Sequence, residues 1–472
     1  MNMSSSTELD AVRVRSASTC QTLHWLASGR IDAVQLSEVY LAAIEAGNAG
    51  LNAYIGLDPA TTRAQAAASA QRRASGRMLG RLDGIPVAIK DNIDVAGWVT
   101  TAGLPGRRER VATTDAAAIT RLLGAGAVVL GKTNLDEGVL GASTNNPHYG
   151  ATRNPWHRDY GVGGSSGGAA AAVAAGLCVA AIGSDSLGSV RIPASHCGVF
   201  ALKPTHGEIS ARGLVPAARR LDTIGLIARS VDDLTVLLHV LSSYDAEDPR
   251  SRKRRVALAP PDWEPGRLRC GIPRDLVGLG TRPEVLAAFE QAIAGLRQEL
   301  GEQCETDFSD YAFAKARRAG LLLMEAEMRH TFAEDLADTA RPISAELRAL
   351  LDFAAARSAS DYVVADRMLD ASVLKARRVF AEVDVLVLPT TPCAAARLDE
   401  PEPAEQAQFT SFASLAGCPA VSIPMGRTSK GLPLGLQFVG PPGSDLRLLE
   451  LAEVCAAALD ATPDYPAGAG NE

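Results

Sequence analysis

Three short apolar runs in the first half of the chain constrain its fold more than any other feature. IPVAIK at 85–90, GAVVLGK at 126–132 and VAAIGS at 179–184 have the length and texture of buried strands. Helical patterns stand between them: residues 115–123, with Asp115 placed as N-cap, and residues 168–175, poor in β-branched residues. Strands alternating with helices predict an α/β layered fold on a mostly parallel or mixed sheet. Apolar residues make up 47% and charged residues 21%, ordinary globular composition that excludes a largely disordered chain. No run of 18 uncharged apolar residues supports a membrane span.

The remainder is read as embellishment of one core, a single domain over 1–472. Residues 1–75 form an N-terminal helical scaffold, with amphipathic helices broken at Gly29 and between Gly47 and Gly50. The core runs through 80–245 and includes a helix after Ser230, with Asp232 and Asp233 in its first turn and a leucine stripe from Leu234 to Leu241. Residues 245–265 read as linker. Residues 284–380 form a largely helical insert. Residues 381–465 return to strands at 383–389, 415–426 and 431–440 before a terminal helix.

Charge and cysteine usage narrow the function classes. The net charge is -7, and the one basic run, Arg252, Lys253, Arg254 and Arg255, stands beside Asp245, Glu247 and Asp248, so nucleic acid is not an expected partner. Eight widely spaced cysteines without CxxC, and a start lacking basic and apolar signal regions, point to reducing cytoplasm. Seven histidines contain no HExxH and no pair three or four apart, so no metal is expected. Two motifs mislead. The run GAVVLGKT, 126–133, has the spelling of a phosphate loop, but its intervening residues are themselves a strand. GGSSG, 163–167, has the spelling of a hydrolase elbow, but a loop precedes the serine.

Three features carry chemistry. Lys90 closes an apolar strand in a chain with only seven lysines; it is either solvated or held in a crowded site that lowers its pKa and makes it a base. Ser165 and Ser166 are flanked by glycines that run straight into an apolar helix of small residues. GSDSLGSVRIPAS, 183–195, sets Ser189 after a strand and a loop whose backbone N–H groups, Ser186 through Ser189, can converge on one oxygen, as acyl transfer requires.

With GIPVAIKDN, KTNLDE, residues 154–176, CGVFALKPT, LDTIGLIARSVDD and GLPLGLQFVGPP in order, the chain resembles the amidase signature family over about residues 25–465. The resemblance implies an α/β fold with a central mixed β-sheet covered by helices on both faces. It also implies a Ser–cis-Ser–Lys triad: Ser189 as nucleophile, Ser165 as bridging acid/base after a cis bond from Gly164, and Lys90 as base. Ser186, Leu187, Gly188 and Ser189 supply the oxyanion hole, and Asp185 and Arg191 brace the loop. Many members carry two glycines where this chain has Leu187 and Gly188, so the hole needs Leu187 at a negative φ. No cofactor is implied.

The expected reaction is hydrolysis of a small carboxamide to acid and ammonia by a free-standing enzyme. An A-type subunit of a transfer-RNA-dependent amidotransferase and an allophanate-like ureido-acid hydrolase are the alternatives. A noncatalytic scaffold would have lost a triad residue, and none is lost. Substrate choice is expected to lie in residues 138–150, the helical insert and residues 394–413. Ser143, Thr144, Asn145 and Phe412 are the candidate substrate contacts, Phe409 shares the Phe412 loop, and a homodimer is left open.

Overall fold

The computed structural model describes residues 9–253 and 264–461. Its strands in chain order are β1 (Tyr54–Gly56), β2 (Pro86–Lys90), β3 (Val128–Thr133), β4 (Asn145–Asn146), β5 (Gly150–Ala151), β6 (Ala180–Asp185), β7 (Phe200–Lys203), β8 (Thr223–Ala228), β9 (Arg269–Pro273), β10 (Glu302–Thr306), β11 (Val385–Pro389), β12 (Ala420–Arg427) and β13 (Pro433–Val439). All but the β4–β5 ribbon join one sheet in the order β1-β3-β2-β6-β8-β7-β12-β13-β11-β9-β10. The sheet is mixed: β3–β2–β6 and β11–β9–β10 pair parallel, and the strands between them pair antiparallel. Every residue of β2, β3, β6, β8 and β13 is buried. Successive side chains point to opposite faces, so both faces of the central sheet are covered.

The parallel pairing of β2 with β6 sets Ile89 opposite Ile182. Lys90 and Asp185 therefore leave the sheet at the same carboxyl edge, where open α/β sheets hold their ligands. Antiparallel β8 brings Thr223 opposite Asp185, so Asp222 enters at that edge too. Helix Gly167–Ala174 is buried along its whole length and contacts β2, β6 and β8.

Several local expectations change. Helix Ala33–Leu51 runs unbroken through Gly47 and Gly50. Its buried stripe (Leu36, Tyr40, Leu41, Ile44, Leu51) and Asp32–Gln35 capping box outweigh about 1 kcal/mol per interior glycine. Asp115 is not a cap: its carboxylate accepts from the Ala96 N–H at 2.7 Å, and helix Ala117–Gly124 starts without a side-chain cap. Ser230 does cap Val231–Leu241, accepting from the Asp233 N–H at 3.1 Å. The insert contains the edge strand β10, whose EQCET sequence is mostly exposed and gives no apolar signal. The early part of the expected linker is tied down: Asp248 accepts from the Ala211 N–H at 2.9 Å and pairs with Arg250 at 2.8 Å. Arg254 and Arg255 lie outside the described residues.

Candidate active site

Lys90 ends β2 with no exposed surface. Its Nζ donates to Ser165 Oγ at 2.8 Å and to Ser184 Oγ at 3.0 Å, and Asn92 Nδ2 donates to the same Ser184 Oγ at 3.1 Å. Burial lowers the ammonium pKa to about 7, against the opposing pull of Asp136, Asp185 and Asp222. The solvated reading of this lysine is thereby discarded. The Gly164–Ser165 peptide is cis. Gly164 is required by close approach, because a Cβ there would overlap Asp136 Oδ2 and lie 2.8 Å from the Ser143 N.

Ser189 stands where the loop after β6 turns into helix Arg191–Cys197. Its carbonyl accepts from the Ser166 N–H at 3.0 Å, which joins the two serine segments. The loop is held by a buried fork: Arg191 Nε and Nη2 each donate to Asp185 at 3.0 Å, with both side chains fully enclosed. Arg191 also donates to the Thr410 carbonyl at 2.9 Å and to Ser414 Oγ at 2.8 Å. Burial pushes the Asp185 carboxyl upward, yet the Arg191 charge and hydrogen bonds hold it below the usual range.

The four-amide oxyanion hole needs one correction. The Gly188 N–H donates to Asp185 Oδ1 at 2.7 Å, so the carboxylate that caps the turn takes that donor. Gly188 has φ +139°, and a Cβ there would overlap Thr410 Oγ1. The amides of Ser186, Leu187 and Ser189 have no protein acceptor among the described residues. Leu187 is not among the residues at positive φ. Asp222 escapes sequence reasoning: it accepts from Ser186 Oγ at 2.7 Å and from the Ala217 N–H at 3.0 Å. Burial raises its pKa to about 6.

A cavity of about 250 Å³ opens onto Ser189. Leu140, Leu187, Ile192, Leu321 and Met324 form its apolar wall, and Arg317, Glu402 and Gln406 its polar end. The insert helix Phe313–Thr331 thus supplies one side and residues 402–407 another. Of the expected contacts, Ser143 and Asn145 line a smaller adjoining space. Thr144 does not: it is buried, donates to the Gly163 carbonyl at 2.9 Å and accepts from the Gly167 N–H at 3.0 Å, which fixes the serine loop. Phe412 and Phe409 are also displaced from the pocket. Both are fully buried in an aromatic cluster with Phe313, because the helix Thr410–Leu415 turns its rings toward the insert.

The phosphate-loop spelling resolves structurally. Lys132 is a buried strand end, with its Nζ 3.1 Å from Asp91 Oδ1 and donating to the Ile93 carbonyl at 2.9 Å. Among the described residues, no group of three or more His, Cys, Asp or Glu side chains is placed to hold a metal ion.

The mixed sheet and the buried lysine on Ser165 agree with the amidase class of hydrolases. The family model Amidase matches residues 35–449, and the chain belongs to that family. It is 37% identical to the A-type subunit of the glutamyl-tRNA(Gln) amidotransferase of Ralstonia nicotianae, across 94% of this chain and 98% of that protein. Among solved structures it is similar to a chain from a vestigial protein complex linked to the origins of an s-triazine catabolic enzyme, with 30% identity, TM-score 0.86, and coverage of 93% of this chain and 98% of that one. It is also similar to 6-aminohexanoate cyclic dimer hydrolase, with 29% identity, TM-score 0.84, and coverage of 96% and 99%.

Proposed function

We propose that this chain cleaves the C–N bond of a carboxamide through an acyl-enzyme on Ser189. The observation that carries this reading is the fully buried Lys90 at 2.8 Å from Ser165 Oγ, beside a cavity that opens onto Ser189. Neutral Lys90 accepts the Ser165 proton as Ser165 takes that of Ser189, and Ser189 Oγ attacks the carbonyl carbon. The amides of Leu187 and Ser189, with Ser186 beside them, meet the negative charge on the carbonyl oxygen. Ser165 returns the proton to the departing nitrogen, ammonia leaves, and water then releases the acid. The proton Ser189 loses leaves on the ammonia, and the hydrolytic water restores one to Ser189.

Two observations divide the choice of substrate. The apolar wall of Leu140, Leu187, Ile192, Leu321 and Met324 favours a free-standing enzyme acting on a compact aliphatic or aromatic primary amide. The 37% identity to an A-type amidotransferase subunit supports the second reading, in which glutamine is the amide and ammonia passes to a partner protein. A cytoplasmic setting accords with either, since all eight cysteines are free thiols. Ammonia release by the purified chain is the deciding measurement, on phenylacetamide, indoleacetamide, mandelamide, a fatty amide, allophanate and glutamine. Turnover of an aromatic or aliphatic primary amide by the chain alone supports the free-standing reading, against which the identity to amidotransferase subunits weighs. Activity only on glutamine, and only with partner subunits plus aminoacylated transfer RNA, replaces it with the amidotransferase reading. Turnover of allophanate alone moves it to ureido hydrolysis.

A further inference from the structure

Beside the Ser189 cavity lies a second, smaller space of about 110 Å³ whose lining includes Ser143, Gly161, Gly163, His196, Glu402 and Gln406. Glu402 and Gln406 line both spaces, and Gly163 directly precedes the Gly164 that lines the larger one. The alcove therefore adjoins the cavity that opens onto Ser189.

Its polar groups are unevenly spent. His196 is 1% exposed, and its Nε2 meets the Cys393 carbonyl at 3.3 Å. A carbonyl only accepts, so Nε2 carries the proton; burial lowers the ring pKa to about 4, which keeps it neutral and leaves Nδ1 a bare lone pair. Nδ1 has no partner among the described residues. Gln406, 3% exposed, donates from Nε2 to Glu402 Oε1 at 2.6 Å, while its Oε1 has no partner. The Ser143 hydroxyl hydrogen is spent on Asp136 at 2.8 Å. The guanidinium on the rim, Arg397, is forked onto Asp399 at 2.8 and 3.0 Å. Two buried acceptors are left over, His196 Nδ1 and Gln406 Oε1, while burial and the nearby Asp136 charge raise the Glu402 carboxyl to about 8. The chemical class that satisfies such a space is rich in N–H and either neutral or cationic, which is the character of ammonia and small primary amines.

We propose that this alcove is the leaving-group subsite, taking the ammonia or small alkylamine freed from the scissile bond through N–H donation to His196 and Gln406. It rests on the serine acyl-enzyme reading above. Since each step is reversible in kind, the same subsite also receives an amine nucleophile that intercepts the acyl-enzyme. The nitrogen attacks the ester carbon and a C–N bond forms as the bond to Ser189 Oγ breaks. The proton shed by nitrogen passes through Ser165 to Ser189.

The test is partitioning of the acyl-enzyme between water and hydroxylamine, read as the hydroxamate-to-acid ratio. In the wild type, hydroxamate formation saturates with hydroxylamine, and ammonium chloride competes at constant ionic strength. Gly161→Leu fills the alcove from a position where a Cβ meets only ordinary contacts, the nearest the Ala396 carbonyl at 3.6 Å. It raises the half-saturating hydroxylamine concentration at least tenfold. Gln406→Met, which removes one acceptor, raises it several-fold. A general loss of packing slows both fluxes together and leaves the ratio unmoved. Hydroxamate that rises linearly, with the same ratio in all three proteins, overturns the subsite. Failure of a fluorophosphonate to label wild-type Ser189 overturns the underlying reading, and the subsite with it.

Discussion

Lys90 sits below Ser165 without solvent contact, and two opposed effects set its charge. Burial lowers its pKa and the carboxylates of Asp136, Asp185 and Asp222 raise it, with burial prevailing at about 7. Below that pH the lysine is protonated and cannot accept from Ser165; above it the base is free. The acid limb of kcat/KM is therefore expected to rise through an apparent pKa near 7, a property of the coupled triad as a whole. Lys90→Ala removes that limb and lowers turnover by about three orders of magnitude or more, an amount in keeping with loss of a positioned base. An unchanged pH profile in the variant contradicts the role. The Asp185–Arg191 fork acts on stability. Asp185→Asn leaves the Arg191 charge buried against a neutral partner and is expected to cost about 3–5 kcal/mol, measured by denaturant unfolding. Unfolding within about 1 kcal/mol of wild type would refute a structural fork.

At the scale of elements, the insert helix Phe313–Thr331 serves two neighbours from two stretches of its length. Leu321 and Met324 face the cavity, whereas Phe313 enters the aromatic cluster around Phe412. The two stretches separate specificity from stability. Phe412→Ala is expected to cost about 3–5 kcal/mol in unfolding while acyl preference holds. Leu187→Ala is expected to widen the cavity and shift discrimination between acyl groups one methylene apart by about 1–3 kcal/mol, read as a ratio of kcat/KM values. A shift of preference in Phe412→Ala would return that ring to the pocket. These elements also show what sequence can reveal. The strand ends that carry Lys90 and Asp185 are legible because fully buried strands read as continuous apolar runs. Strand β10 is not legible, being polar and at the sheet edge. Phe412 is misplaced by sequence because a short helix after a loop gives no sign of which neighbour its rings will meet. Asp222 and Asp136 look like ordinary acids in loops; only the packing brings them beneath the two serine segments.

Across the whole molecule, chain positions 164, 189, 317 and 402 meet at one cavity, supplied by the serine loops, the insert and the segment after β11, and Lys90 at the sheet edge reaches Ser165 next to Gly164. Family membership fixes the hydrolase class, and the chain spans 98% of the length of the amidotransferase subunit it resembles. The amidotransferase and free-standing readings share one claim, that a single chain carries a complete site for acyl transfer to Ser189. Intact-mass spectrometry of the purified chain after fluorophosphonate treatment, followed by peptide mapping, tests that claim most directly. The account predicts one adduct per chain, located on Ser189 and absent from Ser189→Ala. An adduct on Ser165 or Ser166, or undiminished labelling of Ser189→Ala, would contradict it.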